Sequence, residues 1–320
     1  MKKELLKEAK AFDLRIIERI KNGHIPDLRR VKFCEWFYNN PWRHPEYVRW
    51  VFGEYFSFAL SHLKKKNMEI LEVGCGAGYM SLELARYGHN VTGIDISKES
   101  IKIAKKMKKE NPYTEYMGKL NYYVSGLFEF APEKKFDVIC FFLVLHHFQD
   151  LEKVMKKVSN LLKENGMIIV IEPAVDWFSL KNAFFVSLIR ILLSFNKKWY
   201  ESYPLPSNEY ELKDFINNIY IEFKETKDKK EKKQSPHDNS SKGEEMLKVL
   251  NKYFEKINFK YGYSFLTRVV GGVRDDNEEK TLKLANFLKI FDILAVKEKI
   301  LEPTSFYFSG KLKEGLCKKK

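Results

Sequence analysis

Residues 68–78 read Met-Glu-Ile-Leu-Glu-Val-Gly-Cys-Gly-Ala-Gly, a short apolar strand that runs directly into three alternating glycines, Gly74, Gly76 and Gly78. Seventeen residues after Gly78, a second short strand, His-Asn-Val-Thr-Gly-Ile-Asp, ends on a lone carboxylate, Asp95. Glycine takes backbone angles closed to other residues and brings main chain to a ligand with no Cβ between them. The helix predicted at 79–87 turns Leu82 and Ala85 toward the sheet and stops at Gly88, a good helix terminator. In open α/β sheets a ligand sits outside the carboxyl ends of the strands. An acid at the end of the second strand suits a ribose diol there, because it accepts a hydrogen bond from each hydroxyl. The stretch points to a nucleoside-containing cofactor at the edge of a parallel sheet.

The chain keeps this rhythm further along. Ser97 is placed to cap a helix on which Ile101, Ala104 and Lys108 recur at helical spacing. Residues 121–125 read as a third strand. Phe-Asp-Val-Ile-Cys-Phe-Phe at 136–142 is a continuous apolar run, as a strand covered on both faces requires. Asp150 opens a helix with Leu151, Val154, Met155, Val158, Leu161 and Leu162 on one stripe; Gly166 closes it, and residues 167–172 form another buried strand. Strands and helices alternating in this way predict a parallel sheet with right-handed crossovers.

The spacing separates two cofactor classes. The dinucleotide fingerprint G-x-G-x-x-G needs a third glycine where Tyr79 stands. Here the pattern is G-x-G-x-G with Glu72 two residues ahead of it. With Glu72, the glycine triplet and Asp95 in strand–helix–strand order, residues 67–176 resemble the class I S-adenosylmethionine-dependent methyltransferases. The resemblance implies an α/β fold with a doubly wound, mostly parallel seven-stranded sheet. Ser-Phe-Tyr-Phe-Ser-Gly-Lys at 305–311 is similar to the family's closing antiparallel hairpin. The domain organisation expected is an N-terminal helical cap at 1–66, a Rossmann-like core at 67–176, a helical insertion at 177–250, and C-terminal strands and helix at 251–320 that complete the sheet.

The same resemblance implies roles for single residues. Gly74, Cys75, Gly76 and Gly78 form the loop against S-adenosylmethionine, and Glu72 helps to hold its methionine end. Asp95 takes the ribose hydroxyls, Ile96 packs beside the adenine, and the backbone at Leu143 flanks the sulfonium. Ser125 stands where the family often has an acid for the adenine amino group, so Ser125 or a backbone carbonyl takes that place. His146 and His147, in Leu143-Val-Leu-His-His-Phe148, fall where the family faces the transfer centre. An imidazole titrates near neutrality and suits a base there; the alternative is one packed histidine and one in the loop turn.

That segment lacks the Asp/Asn/Ser-Pro-Pro-aromatic motif of enzymes that methylate exocyclic amines of nucleobases, and the chain lacks the Pro-Cys nucleophile of cytosine carbon-5 methylation. It looks like the branch acting on quinone, sterol, lipid and glycan acceptors, at oxygen or carbon rather than nitrogen.

The net charge of +14, from 57 basic and 43 acidic residues, keeps a second reading open: an RNA or protein methyltransferase that draws a polymer to its surface. Lysines interleaved with glutamates argue for solvated faces instead, so nucleic acid is the less favoured partner. A non-catalytic binding module on the same fold is a third reading. Cys34, Cys75, Cys140 and Cys317 are scattered, which predicts neither disulfides nor a metal site. The basic start leads into an amphipathic helix at 5–20 rather than a signal peptide, so a cytoplasmic enzyme is expected.

The flanks must supply acceptor specificity. Residues 33–63 are rich in aromatics, with a turn-forming break at Asn39-Asn-Pro-Trp-Arg-His-Pro45. Tyr38, Trp42 and Arg43 are candidate acceptor-binding residues, with packing of the helical layer as the alternative for the aromatics. Two apolar helices, at 183–195 and 282–296, are too short to span a bilayer. They suit a lid, a lipid-sized pocket or peripheral membrane contact. The lysine-, glutamate- and serine-rich segment 222–245 reads as a mobile surface excursion.

Overall fold

The computed structural model describes residues 3–224 and 235–316. The first half of the chain forms α1 (Lys3–Lys21), α2 (Pro45–His62), β1 (Glu69–Val73), α3 (Tyr79–Arg86), β2 (Asn90–Asp95), α4 (Lys98–Lys109), β3 (Leu120–Val124) and β4 (Phe136–Phe142). The second half forms α5 (Leu151–Leu161), β5 (Leu162–Pro173), α6 (Leu180–Phe195), α7 (Glu209–Lys224), α8 (Gly243–Tyr253), β6 (Phe254–Tyr261), α9 (Glu278–Lys297) and β7 (Ser305–Leu312).

The strands make one seven-stranded sheet in the order β3-β2-β1-β4-β5-β7-β6. β1 to β5 run parallel, and β7 enters antiparallel between β5 and β6. The central strands are buried on both faces because successive side chains alternate between two cores. Ile70, Val138 and Cys140 pack under α2, α3 and α4, whereas Leu71, Ile139 and Phe141 pack under α5 and α8. A third cluster joins α6, α7 and α9 through Ala183, Val186, Ile219, Phe223 and Leu288. The chain order reverses beside β1, where β2 lies on one side and β4 on the other. That is where a doubly wound sheet leaves a crevice at its carboxyl edge.

The sequence expectations hold for β4 and, to within a residue, for β2 and β3. Gly166 does not close α5. Leu162 is already extended at φ −76° and ψ 144° and is fully buried beside Phe136, so the chain passes straight into β5 and Gly166 lies inside the strand. The insertion is also shorter than 177–250. α8 packs on α5, β6 and β7 and gives Met246, Val249 and Leu250 to the sheet's own core. β6 and β7 are neighbours, but α9 lies between them in the chain, so no tight hairpin joins them.

The expectation of a mobile excursion at 222–245 is corrected at both ends. Residues 222–224 end α7 and 243–245 begin α8, while Ser235, Asp238 and Ser241 are buried. Residues 225–234 lie outside the described part.

Candidate active site

A cavity of about 880 Å³ opens at the carboxyl edge of β1, β2 and β4. It lies toward the upper end of the roughly 300–1,000 Å³ range of small-molecule sites, enough for a cofactor and a second molecule. Its floor is the loop between β1 and α3, whose three glycines answer three different demands. At Gly74 a Cβ would overlap the Val144 side chain, and at Gly78 it would overlap the Tyr122 ring and Ala104. At Gly76, with φ +51°, a Cβ would meet nothing within 4 Å. Gly76 is thus the glycine whose bare backbone faces open space, while Gly74 and Gly78 permit close packing; Gly78 does not line the cavity.

Two acids flank this loop. Asp95 accepts the Gly76 and Ser97 N–H groups at 2.8 Å, one on each carboxylate oxygen. Burial pushes its pKa up against those two bonds. Glu72 is almost fully buried and accepts the Ser81 hydroxyl; burial lifts its pKa to about 8, with Asp95 adding to the rise. An acid kept neutral by desolvation becomes a carboxylate when a cation arrives beside it. Ile96, Ser125 and Cys75 lie on the same wall. These residues fit S-adenosylmethionine: bare backbone at Gly76, an acid for a ribose at Asp95, and an acid for a positively charged amino acid end at Glu72.

The opposite wall follows β4. Leu143 holds a left-handed backbone at φ 59°, a conformation costing roughly 1–2 kcal/mol for a residue with a Cβ. Glu172, at the end of β5, over-determines it. This fully buried carboxylate accepts the N–H groups of Val144 and Leu145 at 2.8 and 2.7 Å and binds His146 Nδ1 at 2.7 Å. His146 Nε2 faces Asp238 at 3.6 Å. Burial pulls the His146 pKa down, but Asp238 and Glu172 outweigh it and raise the pKa to about 9. His147 Nδ1 meets Glu8 of α1 at 3.2 Å and Ser235 at 3.3 Å. Burial raises the Glu8 pKa, but bonds from His147, Ser235 and the His237 N–H bring it below the usual range, so Glu8 is a carboxylate. His146, His147 and Asp238 also each place a ligand-type atom within 4.8 Å of the others, a cluster that cysteine spacing could not reveal.

Of the three candidate acceptor residues, only Trp42 reaches this cavity. Asn40 caps a one-turn 3-10 helix at Pro41–Arg43, and successive residues on such a turn point about 120° apart. Trp42 turns inward against Phe52 and Tyr79. Arg43 turns away, donates to the Glu35 and Phe37 carbonyls at 3.0 and 3.1 Å, and lines a separate pocket of about 400 Å³. Tyr38 is 65% exposed and stacks on Tyr200. Neither belongs to the main cavity.

Several residues on the wall escaped the sequence reading. Arg19 of α1 has no carboxylate partner among the described residues, and burial together with Arg15 lowers its pKa to about 10, with Tyr79 opposing. Glu129 reaches over Gly126 on the rim, four residues past Ser125. Glu8, Asp238 and Arg268 also line the cavity, and the buried Glu172 supports it through His146. Only Glu172 carried a local signal, as an acid at the end of a buried strand.

The family profile described as "Methyltransferase domain" matches residues 64–252. Similar curated proteins include the ubiquinone biosynthesis O-methyltransferase of Pelagibacter ubique (strain HTCC1062), 36% identical over 115 residues that cover 36% of this chain and 46% of that protein. Its counterpart from Rickettsia akari (strain Hartford) is 31% identical over 169 residues, covering 52% and 62%. The chain spans about half the length of these curated relatives.

Among solved structures, magnesium protoporphyrin IX methyltransferase from Synechocystis PCC 6803 superposes with TM-score 0.50 at 13% identity, covering 97% of this chain and all of that one. The [4+2]-cyclase SpnF superposes with TM-score 0.53 at 12% identity, covering 97% and 96%. These two likenesses show the fold alone. With more than half of its length matched by the methyltransferase profile, and with the glycine loop and the two acids in place, the chain belongs to the class I S-adenosylmethionine-dependent methyltransferases.

Proposed function

We propose that the protein transfers a methyl group to an oxygen of a small, largely apolar acceptor such as a phenol or quinol. The observation that carries this is the meeting of the Glu72–Gly76–Asp95 wall with His147 in one cavity. The names of the curated relatives point to the same acceptor class. A polymer acceptor has no comparable support.

In this reading Gly76 and Cys75 lie along the cofactor, Asp95 takes its ribose, Glu72 its ammonium, and Arg19, beside Tyr79, its carboxylate. Glu129 is the acid available to the adenine rim. Bound S-adenosylmethionine supplies an electrophilic methyl on a sulfonium that leaves as a neutral thioether. The protein's task is alignment, exclusion of water and removal of one proton. His147 is the better base of the two histidines. Glu8 holds its Nδ1–H, which leaves Nε2 as the ring's acceptor. His146, whose raised pKa keeps it protonated at neutrality, anchors the loop and Asp238.

The test is release of S-adenosylhomocysteine with alkyl catechols as acceptors. Wild type is expected to turn over. His147→Gln should lower kcat by about 100-fold or more, with unchanged S-adenosylhomocysteine affinity. Undiminished turnover by that variant removes His147 from proton transfer.

A further inference from the structure

Arg268 is a cation in the cavity to which this scheme gives no task. Arg268 ends a one-turn 3-10 helix, Leu266–Arg268, that follows β6, and it lines the same cavity as Asp95 and His147. Its guanidinium carbon lies 4.9 Å from the Phe223 ring centre, and Nη1 donates to the Phe223 carbonyl at 3.2 Å. Among the described residues no carboxylate forms an ion pair with it. The two acids whose charge it feels, Glu222 and Asp238, are engaged elsewhere. Glu222 takes both terminal nitrogens of Arg190 at 2.6 and 2.9 Å, and Asp238 faces His146. Burial pushes the Arg268 pKa down, yet part of the residue stays accessible. A guanidinium at the wall of a cavity combines these two properties.

The mount under Arg268 is rigid. Asp292 of α9, fully buried, accepts the N–H groups of Ser264, Phe265 and Leu266 at 2.7, 2.8 and 2.6 Å. The Asn39 amide donates to the Arg268 carbonyl. Holding a desolvated cation in place without an acid is unfavourable unless a negative ligand completes the site. The surface beside it is apolar: Phe178 stacks on Phe223 with ring centres 4.2 Å apart, and both line the cavity.

We propose that Arg268 binds an oxyanion carried by the acceptor, next to the acceptor's apolar part, so that the acceptor class is an amphipathic organic acid. A carboxylate is the first choice, because the planar guanidinium fork matches it with two parallel hydrogen bonds. A phosphate offers the same chemistry. This rests on the methyltransferase reading of the site and names the acceptor that reading leaves open.

The test uses the full chain loaded with S-adenosylhomocysteine and calorimetric titration of para-octylbenzoate, its uncharged isostere para-octylbenzamide, and para-octylphenyl phosphate. Wild type should prefer an anion over the amide by about tenfold or more, as a charge-assisted pair implies; the tighter of the two anions identifies the acceptor's acid. Arg268→Met keeps the packing on Phe223 and should reduce the preference to less than about twofold, with S-adenosylhomocysteine affinity unchanged. Arg268→Lys, which keeps the charge without the fork, should show an intermediate preference. Equal binding of benzoate and benzamide by wild type overturns the proposal, as does a preference that persists in Arg268→Met. Weakened S-adenosylhomocysteine binding in Arg268→Met also overturns it, by assigning the residue to the cofactor. If wild type binds no S-adenosylhomocysteine at all, the underlying methyltransferase reading fails instead.

Discussion

His146 shows how a single residue ties the site to stability. Its folded pKa of about 9 lies above the ordinary histidine value of 6.5, because Glu172 and Asp238 outweigh the cost of burial. A group raised in this way stabilises the folded state fully below pH 6.5, and that contribution is lost as pH rises through about 9. Its size is on the order of a few kcal/mol. Melting curves between those limits should fall more steeply with pH for wild type than for His146→Gln. Parallel slopes would contradict the ion contacts described. The motif residues Glu72, Gly76 and Asp95 were legible in the sequence because they lie in one short strand–helix–strand pattern with fixed spacing. The partners Glu8, Glu172 and Asp238 were not. They come from three distant segments: Glu172 shows only as an acid ending a buried strand, and Glu8 and Asp238 look like ordinary surface acids until the fold brings each beside a histidine.

At the scale of elements, the strands and helices from β1 to β4 were readable because their apolar runs are bounded by caps and glycines, whereas Gly166 misled on where β5 begins. Ser97 and Asp150 do cap α4 and α5. The turn at Pro41–Arg43 was the harder case, since aromatic content cannot say which residue of a tight turn faces inward. The two apolar helices resolve into faces. On α6, Ala183, Val186 and Arg190 point inward, while Leu180, Phe184, Leu188, Leu192 and Phe195 are each more than half exposed. Phe287, Ile290, Ile293 and Leu294 expose a matching stripe on α9, and Phe185 and Phe291 join the two helices. Exposed lysines, Lys181, Lys197 and Lys297, flank the stripes. Among the described residues no helix is long and apolar enough to cross a membrane. This face is our candidate for peripheral contact with an anionic bilayer. Flotation with anionic liposomes should carry wild type upward, and Leu188→Glu with Leu192→Glu should leave it in the soluble layer. Equal partition of both proteins would remove the membrane from the account.

The molecule as a whole joins a sheet-edge cofactor wall to a covering layer made from α1, the turn before α2, the 235–241 segment and the loop that follows β6. Each piece contributes a side chain to the one cavity. The net charge of +14 is a property of the whole surface and does not by itself name a partner. The account turns on a sulfonium cofactor held between Glu72 and Asp95. Thermal unfolding with and without S-adenosylhomocysteine, for wild type and Asp95→Ala side by side, tests that most directly. A ligand that binds only the folded state at roughly 100 times its Kd stabilises it by about 2.7 kcal/mol. Wild type should therefore melt several degrees higher with the ligand, and Asp95→Ala should lose most of that rise. No shift in wild type, or the same shift in both proteins, would contradict the assignment.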